Sequence, residues 1–297
     1  MTKTPYYKAL NNFSVNGGHT DVITRLISLE SSSTSILLAS SSKDGKIKIW
    51  NLSSLTLLHS IGDHFGSVES LAYLKRNKRN DGEMSLLASG SYDTTIKLWN
   101  ITDNSVHLIQ TLIDDDNGHS DTVVSLVFLD DGRLLASASL DKSVIVWDLE
   151  DNFRLKYKFN EHVLYVNVLV AIDDMSFLAS GSGDATVNVY DISIIGDGKL
   201  KYSLNQHTDQ IEALTYVGDG LLVSGSYDRT IKIWDLKNGG ILKFTIDASI
   251  NNGGIGGHTN WVTVLSSLNS EKKMTKTRSF ASGSLDNTIK IWSIDVD

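Results

Sequence analysis

Histidine, serine and aspartate recur together along this chain, and these are the side chains of a nucleophilic acyl-transfer triad. Each of six histidines is followed by a serine and then, four positions later, by an aspartate. An acyl-transfer enzyme needs one nucleophile, one oxyanion hole and one substrate pocket, and six equivalent sets do not fit that requirement. The recurrence therefore favours a structural role, and we predict that the protein is not an enzyme.

Metal and phosphate chemistry lack their usual sequence signatures. The six histidines are 43 to 55 residues apart, and no H-E-x-x-H motif is present. The chain has no cysteine, which excludes disulfides, thiolate zinc sites and cysteine nucleophiles. The glycine-rich stretch 253–258 lacks the lysine of a phosphate-binding loop. We predict neither a metal nor a cofactor.

These residues lie in six copies of one sequence repeat. Examples are LLASGSYDTTIKLWN at 86–100 and LLVSGSYDRTIKIWD at 221–235. In every copy the aspartate precedes an aromatic residue by six positions. The LLAS run suits a strand buried on both faces, and IKIW alternates as a strand does. Asp, Gly, Ser and Thr between them favour a tight hairpin turn. With a further strand on each side of this hairpin, each repeat predicts four antiparallel strands.

The repeats resemble the WD-repeat family, whose blades carry Gly-His near the start and Trp-Asp at the end. The resemblance covers roughly residues 6–293. It departs from the family pattern at Tyr190, which replaces tryptophan, and at three histidines that do not follow glycine. The resemblance implies an all-β, six-bladed propeller in a single domain over residues 1–297. The repeats are expected to end near residues 51, 100, 148, 191, 235 and 293.

Blade number and ring closure follow from the spacing of the repeats. The turn aspartates are 49, 48, 43, 44 and 58 residues apart, whereas a hidden seventh blade would need a gap near ~85 residues. The family closes its ring with an N-terminal strand, and we predict that residues 8–15 complete the last blade. The alternative is an open ring completed by a partner's strand or blade, similar to coat and nuclear-pore propellers. The available N-terminal strand argues against that alternative.

The resemblance also implies that the recurring polar residues form a hydrogen-bonded chain from the Trp indole to Ser, His and Asp. Each of these groups needs a partner once it is buried. The fourth repeat has Tyr190 where the others have the tryptophan indole, so its strands are expected to be held together least firmly by the network. The predicted network residues are His19, Ser40, Asp44, Trp50, His64, Ser89, Asp93, Trp99, His119, Ser137, Asp141, Trp147, His162, Ser180, Asp184, Tyr190, His207, Ser224, Asp228, Trp234, His258, Ser282, Asp286 and Trp292.

A partner surface is implied along the upper rim, where the family binds through residues before the turn aspartate and around the start of the first strand. The predicted partner-binding residues are Lys43, Glu69, Tyr92, Leu140, Tyr165, Asn167, Gln210, Glu212, Tyr227, Trp261 and Leu285. Exposed Trp and Tyr among carboxylates resemble an interface centre. Lys43 and the acidic residues suggest a partner segment with some basic character. The alternative is that the aromatic residues only pack against neighbouring loops.

These observations predict a non-catalytic scaffold that binds a protein or peptide through its upper rim. The alternatives are a structural subunit of a coat-like or multi-subunit assembly, and a regulatory or substrate-receptor subunit of a larger complex. Receptors that dock a ubiquitin ligase usually carry Trp-Asp-x-Arg, and here Glu150, Ser193 and Lys237 stand at the position of the arginine. We expect either a monomer or a subunit of a hetero-complex.

Charge and hydropathy limit the remaining partners and the compartment. The net charge of −8 and pI of about 5.4 disfavour nucleic acid. Apolar runs are too short to span a membrane, and no secretory signal is evident. We therefore expect an intracellular protein, cytoplasmic or nuclear. Two basic stretches, 74–82 and 271–278, are interpreted as loops in solvent.

Overall fold

The fold is all-β, in a computed structural model that describes residues 17–29, 36–78, 82–102, 105–114, 116–193, 197–249, 256–268 and 277–296. Over these residues the chain forms 23 strands in six antiparallel sheets, which we call blades 1 to 6 in chain order. Blades 1 to 5 have four strands each, and within the described residues blade 6 has three. Two three-residue 3-10 turns are the helical elements of this part of the chain.

Each blade is a meander in which consecutive strands pair. The strands of blades 1 to 3 are β1 (Ile23–Leu29), β2 (Leu37–Ser42), β3 (Ile47–Asn51), β4 (Thr56–Ile61), β5 (Val68–Lys78), β6 (Gly82–Ser91), β7 (Ile96–Ile101), β8 (Val106–Leu112), β9 (Val123–Leu129), β10 (Leu134–Ser139), β11 (Val144–Asp148) and β12 (Arg154–Phe159). Those of blades 4 to 6 are β13 (Val166–Ile172), β14 (Phe177–Ser182), β15 (Val187–Asp191), β16 (Lys199–Leu204), β17 (Ile211–Tyr216), β18 (Leu221–Ser226), β19 (Ile231–Asp235), β20 (Ile241–Ile246), β21 (Val262–Ser267), β22 (Thr277–Ser284) and β23 (Ile289–Asp295).

The hairpin between the second and third strands has the same backbone in all six blades. The residue after the turn aspartate is left-handed each time, with φ between 65° and 76°. Gly45 is the one glycine at this position; Thr94, Lys142 and Arg229 are among the others. A left-handed residue with a side chain is costly, so the contacts of the aspartate must hold the turn in place.

The core lies between blades rather than within one sheet. Five apolar clusters each join one blade to the next, and the first strands β1, β5, β9, β13, β17 and β21 pack in that order. In the cluster between blades 3 and 4, Val144 and Val146 of one blade face Leu178 and Tyr190 of the next. Burial of these side chains, at roughly 25 cal/mol per Å² of apolar surface, stabilises the stack of blades.

Two predicted features differ from the observed fold or lie outside it. The prediction of loops at 74–82 and 271–278 is wrong for residues 74–78 and Gly82, which pair in β5 and β6, and for Thr277 and Arg278, which belong to β22. The predicted closing strand, residues 8–15, lies outside the described residues, as do 79–81 and 271–276. Among the described strands, β22 is the one that pairs with β23.

Candidate functional site

Blade 3 shows how the recurring polar residues meet. The Trp147 indole N–H donates to Ser137 Oγ at 3.0 Å, and Ser137 Oγ lies 2.8 Å from His119 Nε2. His119 Nδ1 lies 2.9 Å from an Asp141 carboxylate oxygen. The indole N–H can only donate. Every group in this series has a hydrogen-bond partner when the Ser137 hydroxyl donates to His119 Nε2 and the His119 Nδ1–H donates to Asp141.

The same bonds recur around the other blades. The His–Asp contacts are 2.7–3.0 Å long and the His–Ser contacts are 2.7–2.8 Å long. The other four indoles, Trp50, Trp99, Trp234 and Trp292, reach their serines at 2.7–2.9 Å. The structure therefore brings together all six predicted sets, each within its own blade.

Tyr190 replaces the indole in blade 4, yet this blade keeps its network. The Tyr190 side chain is fully buried and stacks on Phe159 of blade 3, with ring centroids 4.0 Å apart. Ser180 of this blade lies 2.7 Å from His162 Nε2, and His162 Nδ1 lies 2.9 Å from Asp184, as in the other blades. Burial raises the pKa of the Tyr190 hydroxyl well above its ordinary value, so it stays neutral.

The turn aspartate connects three parts of a blade. In blade 3 the Asp141 carboxylate accepts from His119 and from the backbone N–H groups of Ser120 and Ser143, at 2.9 and 2.8 Å. The backbone N–H of Asp141 in turn donates to Ser139 Oγ at 3.0 Å. These bonds hold the left-handed turn against the loop that enters the first strand, and so fix the shape of the rim above it.

The buried position of the serine hydroxyls decides what this arrangement can do. Every network serine is at most 1 % exposed, inside a blade. A nucleophile must reach its substrate, and these hydroxyls are enclosed by their own hydrogen-bond partners. Among the described residues, no group of three or more His, Asp or Glu side chains is placed to hold a metal ion. The geometry supports a structural network.

Electrostatics of the aspartates give this network a pH dependence. Burial alone raises the pKa of Asp141, but the hydrogen bond and the charge interaction with His119 outweigh it, with smaller contributions from Ser143 and Ser120. The net pKa lies well below its ordinary value. The same direction holds for Asp44, Asp93, Asp184, Asp228 and Asp286.

Acid is therefore expected to destabilise the fold through these aspartates. A carboxyl whose pKa is lower in the folded state binds more protons when the protein is unfolded. Its contribution to the free energy of unfolding is therefore fully present above about pH 5 and is lost as the pH falls towards about 2. Replacing Asp141 by asparagine removes one such group, and the fall in Tm between pH 7 and pH 3 should be smaller than in the wild type. Thermal melts at both pH values test this, and an equal fall in both proteins would contradict it.

The upper rim is built from two positions that lie side by side in each blade. The backbone N–H of the residue before the turn aspartate donates to the carbonyl of the residue before the first strand, at 2.9–3.1 Å in all six blades. The pairs are Lys43 with Val22, Tyr92 with Ser67, Leu140 with Thr122, Gly183 with Tyr165, Tyr227 with Gln210, and Leu285 with Trp261. The predicted rim residues from turns and from first strands therefore share one surface.

Side-chain contacts join the rim across blades 4, 5 and 6. The Tyr165 hydroxyl of blade 4 donates to Gln210 Oε1 of blade 5 at 2.6 Å. The rings of Tyr227 in blade 5 and Trp261 in blade 6 are stacked, with centroids 4.0 Å apart and planes 7° apart. Tyr165 and Trp261 remain well exposed. We call this surface, together with Glu212, the aromatic shelf.

Glu212 adds a half-buried carboxylate to the aromatic shelf. Its Oε2 accepts from the Asn167 side-chain amide at 3.3 Å, and that amide also donates to the carbonyl of Ile211 at 3.0 Å. Burial raises the pKa of Glu212, with Arg25 of blade 1 acting in the opposite direction. Burial also raises the pKa of Tyr227, and the charge of Glu212 adds to that rise.

Gly183 makes room for Tyr165. A Cβ at Gly183 would lie 2.5 Å from the Tyr165 ring, so any side chain at this position would collide with the ring where it now lies. Tyr92, Leu140, Tyr227 and Leu285 stand at the same turn position in other blades. The glycine therefore defines where Tyr165 can lie, a role that the sequence analysis did not assign to it.

The remaining predicted rim residues belong to blades 1, 2 and 3. Lys43, Tyr92 and Leu140 are exposed and Glu69 is half-buried. Within the part of the chain that the structure describes, no side-chain contact joins them to the aromatic shelf. Sequence reasoning missed Phe65, whose side chain is 99 % exposed directly after His64. The sequence could have identified Phe65, because it is a large apolar residue at a position where four of the six repeats carry Thr or Ser.

Six antiparallel sheets that meander and pack face to face in chain order define the β-propeller class. A sequence profile of the WD domain, G-beta repeat family matches residues 11–51, 55–100, 107–148, 153–191, 198–235 and 252–293. The chain therefore belongs to the WD-repeat family.

Similar proteins cover parts of the chain. Mitochondrial division protein 1 of Eremothecium gossypii is 29 % identical over 146 residues, 47 % of this chain and 20 % of that protein. WD repeat and SOCS box-containing protein 1 of Danio rerio is 40 % identical over 67 residues, 22 % of this chain and 14 % of that protein. The matched part thus spans a fifth or less of these relatives.

A solved structure shows the same fold over nearly the whole chain. The structure of U3-55K superimposes with a TM-score of 0.70, at 23 % identity, over 93 % of this chain and 78 % of that one. Within the described residues, no helix has the length and apolar character needed to cross a membrane.

Proposed function

We propose that this chain is a non-catalytic scaffold that binds a protein or peptide segment at the aromatic shelf of blades 4 to 6. The observation that carries this proposal is the stacked pair Tyr227 and Trp261, continuous with Tyr165 and Gln210 on the same rim. Tyr and Trp dominate the energetics of protein interfaces because they bury a large rigid surface and lose little side-chain entropy.

The chemistry of the shelf specifies the partner segment further. Glu212 is half-buried, and a carboxylate that has lost part of its water gains most from a cationic partner. The stacked rings beside it present a face that attracts a cation. A segment with an Arg or Lys next to an apolar residue would satisfy both features.

Rigidity supports the same proposal. The turns and entry loops that carry the shelf are fixed by the His–Asp bonds of blades 4, 5 and 6, at 2.7–2.9 Å. A surface that is ordered before binding loses less conformational entropy when a partner arrives.

The test is a comparative pull-down from native cell extract with quantitative mass spectrometry. The variant Tyr165→Ala/Tyr227→Ala/Trp261→Ala should lose bound proteins, because it removes the three aromatic side chains of the shelf while the core is untouched. The matched control is Leu108→Ala/Leu200→Ala/Ile241→Ala, which removes three exposed apolar side chains from outer strands.

Retention of every bound protein by a folded rim variant would overturn the shelf as the binding surface. Equal losses in both variants would show that binding depends on exposed apolar surface in general. Melting curves of both proteins establish that they are folded.

A second candidate is a structural subunit of a multi-subunit assembly. It is favoured by Ile289 and Ile291 of β23, which are exposed on the free face of blade 6. Large apolar side chains that stay in solvent are a liability for a monomer and are expected to be covered in an assembly.

A further inference from the structure

The three residues that follow each network histidine form an entry loop, which leads into the first strand of the blade. The backbone N–H of its first residue donates to the turn aspartate at 2.9–3.1 Å in all six blades. In blades 1, 3, 5 and 6 the first residue is Thr or Ser and the second is Asp or Asn. The side chain of that Asp or Asn accepts from the backbone N–H of the next residue at 2.6–2.9 Å. The usual entry loop is therefore polar and holds its own shape.

The entry loop of blade 4 differs, because it consists of Val163, Leu164 and Tyr165. These side chains are 69 %, 43 % and 38 % exposed. The backbone is nevertheless that of the other blades. The Val163 N–H donates to Asp184 at 3.0 Å, and Ser182 Oγ donates to the Leu164 carbonyl at 3.2 Å. The equivalent serine bond is 2.9–3.1 Å long in blades 1, 3, 5 and 6. Blade 4 thus presents apolar side chains on a frame that holds polar ones in four other blades.

Exposed apolar side chains that are adjacent to one another indicate a contact surface, whereas single ones are common on any protein. Within the described residues, neither Val163 nor Leu164 packs into an apolar core cluster. Blade 4 also lacks the Asp or Asn bond that supports the loop elsewhere. Positions that break a local rule without a gain in packing are expected at functional sites.

This apolar entry loop is continuous with the aromatic shelf. Tyr165 belongs to both, and its hydroxyl donates to Gln210 Oε1 at 2.6 Å. The Tyr227 N–H donates to the Gln210 carbonyl at 3.0 Å, and the Tyr227 ring stacks on Trp261. A segment that lies along this part of the rim therefore meets Val163 and Leu164 at one end and the stacked rings at the other.

Carboxylates lie along the same stretch of rim. Asp209 is exposed and Glu212 is half-buried. Burial raises the pKa of the Tyr227 hydroxyl, and the charges of Glu212 and Asp209 add to that rise, so both carboxylates act on one hydroxyl. The bond from Asn167 to Glu212 is 3.3 Å long, which is longer than is usual for a carboxylate acceptor. Glu212 therefore retains the capacity to bind a cation, although the charge of Arg25 acts on it from blade 1.

We propose that Val163 and Leu164 determine which segments the aromatic shelf accepts, by receiving a large apolar side chain of a partner peptide whose basic residue faces Glu212. The occupant is a short segment that carries Leu, Ile, Met or Phe together with Arg or Lys. This inference rests on the proposed function of the shelf and names the chemistry that its partner needs.

The chain itself supplies the variant that tests this inference. Val163→Thr/Leu164→Asp gives blade 4 the residues of the blade 5 entry loop, Thr208 and Asp209. In blade 5 that aspartate accepts from the Gln210 N–H at 2.8 Å, so the same bond to the Tyr165 N–H should keep the Tm equal to that of the wild type or higher. The added negative charge favours a basic segment, so a loss of affinity reports on the missing apolar contact. Val163→Thr alone is a milder second variant with an almost unchanged shape.

The probe is a phage-displayed library of short random peptides, selected on the immobilised full chain. Peptides that recur are synthesised, and their affinities are measured by fluorescence anisotropy. We expect them to combine Arg or Lys with a large apolar residue. Val163→Thr/Leu164→Asp should weaken their binding about tenfold or more, because two apolar contacts are lost, and Val163→Thr should weaken it less. The matched control is Phe65→Thr, which removes a 99 % exposed apolar side chain from the blade 2 entry loop and should leave the affinity unchanged.

A double-mutant cycle identifies the partner of Glu212. Glu212→Gln should weaken binding of a selected peptide, but should have little further effect on the same peptide with its basic residue replaced by alanine. Val163→Thr/Leu164→Asp should be coupled in the same way to the apolar residue of the peptide. Independent effects in both cycles would overturn the proposal.

Other outcomes separate this inference from the proposed function. Wild-type affinity in both entry-loop variants, an equal loss in Phe65→Thr, selection of acidic or wholly polar peptides, or no recurring peptide would each overturn it. If the entry-loop variants bind like the wild type while Tyr165→Ala/Tyr227→Ala/Trp261→Ala does not, the shelf remains the binding surface and only the role of Val163 and Leu164 fails. If that triple variant also binds like the wild type, the proposed function fails as well.

Discussion

Replacing Ser137 by alanine is expected to lower the free energy of unfolding by about 1–3 kcal/mol, which is the cost of leaving a buried polar group without its partner. The hydroxyl accepts from the Trp147 indole and bonds to His119, and the Ser137 side chain is fully buried. His119→Ala should cost a similar amount, since it leaves both Ser137 and Asp141 short of a partner. Urea denaturation of the purified variants measures both effects.

The control for this prediction is Ser203→Ala, at an exposed position on the outer strand of blade 4, which should change stability by less than about 0.5 kcal/mol. The double variant Ser137→Ala/His119→Ala should cost less than the sum of the two single variants, because both break the same hydrogen-bonded chain. Wild-type denaturation curves for both single variants would show that the bonds do not contribute to stability.

The network could be predicted from the sequence because it repeats. A constant offset of six residues between Asp141 and Trp147, found in all six copies, requires a hairpin of fixed length and places both residues in the same blade. The left-handed residue after each aspartate was not evident, because four of the six, namely Thr94, Lys142, Ala185 and Arg229, are residue types that rarely adopt this conformation. That backbone conformation is imposed by the hydrogen bonds of the aspartate and not by the residue that adopts it.

The aromatic shelf could be predicted only in part. Family positions identified Tyr165, Tyr227 and Trp261 as rim residues, but not which of them touch. The stack of Tyr227 on Trp261 depends on the rotation between blades 5 and 6, which no local pattern encodes. The position of Tyr165 depends on Gly183, a residue whose importance lies in lacking a side chain.

The exposure of Ile289 and Ile291 on blade 6 could not be predicted at all. Ile289 and Ile291 have the same residue types and the same period as their buried equivalents, so the sequence indicates that they are buried. Within the described residues, their side chains have no neighbouring blade to cover them, as their buried equivalents do. Local sequence defines a blade face as apolar, while the arrangement of the whole ring decides whether that face has a neighbour.

Ile233→Ala is expected to lower the free energy of unfolding of the purified chain by about 2–5 kcal/mol, the usual cost of deleting a fully buried isoleucine side chain down to alanine. Ile233 packs in the core between blades 5 and 6 and is 2 % exposed. Ile291→Ala, the same substitution at the equivalent position one blade later, should cost less than about 1 kcal/mol because its side chain is already in solvent.

This pair of variants holds the residue type, the strand position and the surrounding repeat constant, so a difference in their unfolding free energies reports on the neighbouring blade alone. Equal destabilisation would mean that the isolated chain covers its own free face, as closure through residues 8–15 requires. A large difference would show that this face of blade 6 has no covering neighbour in the isolated chain.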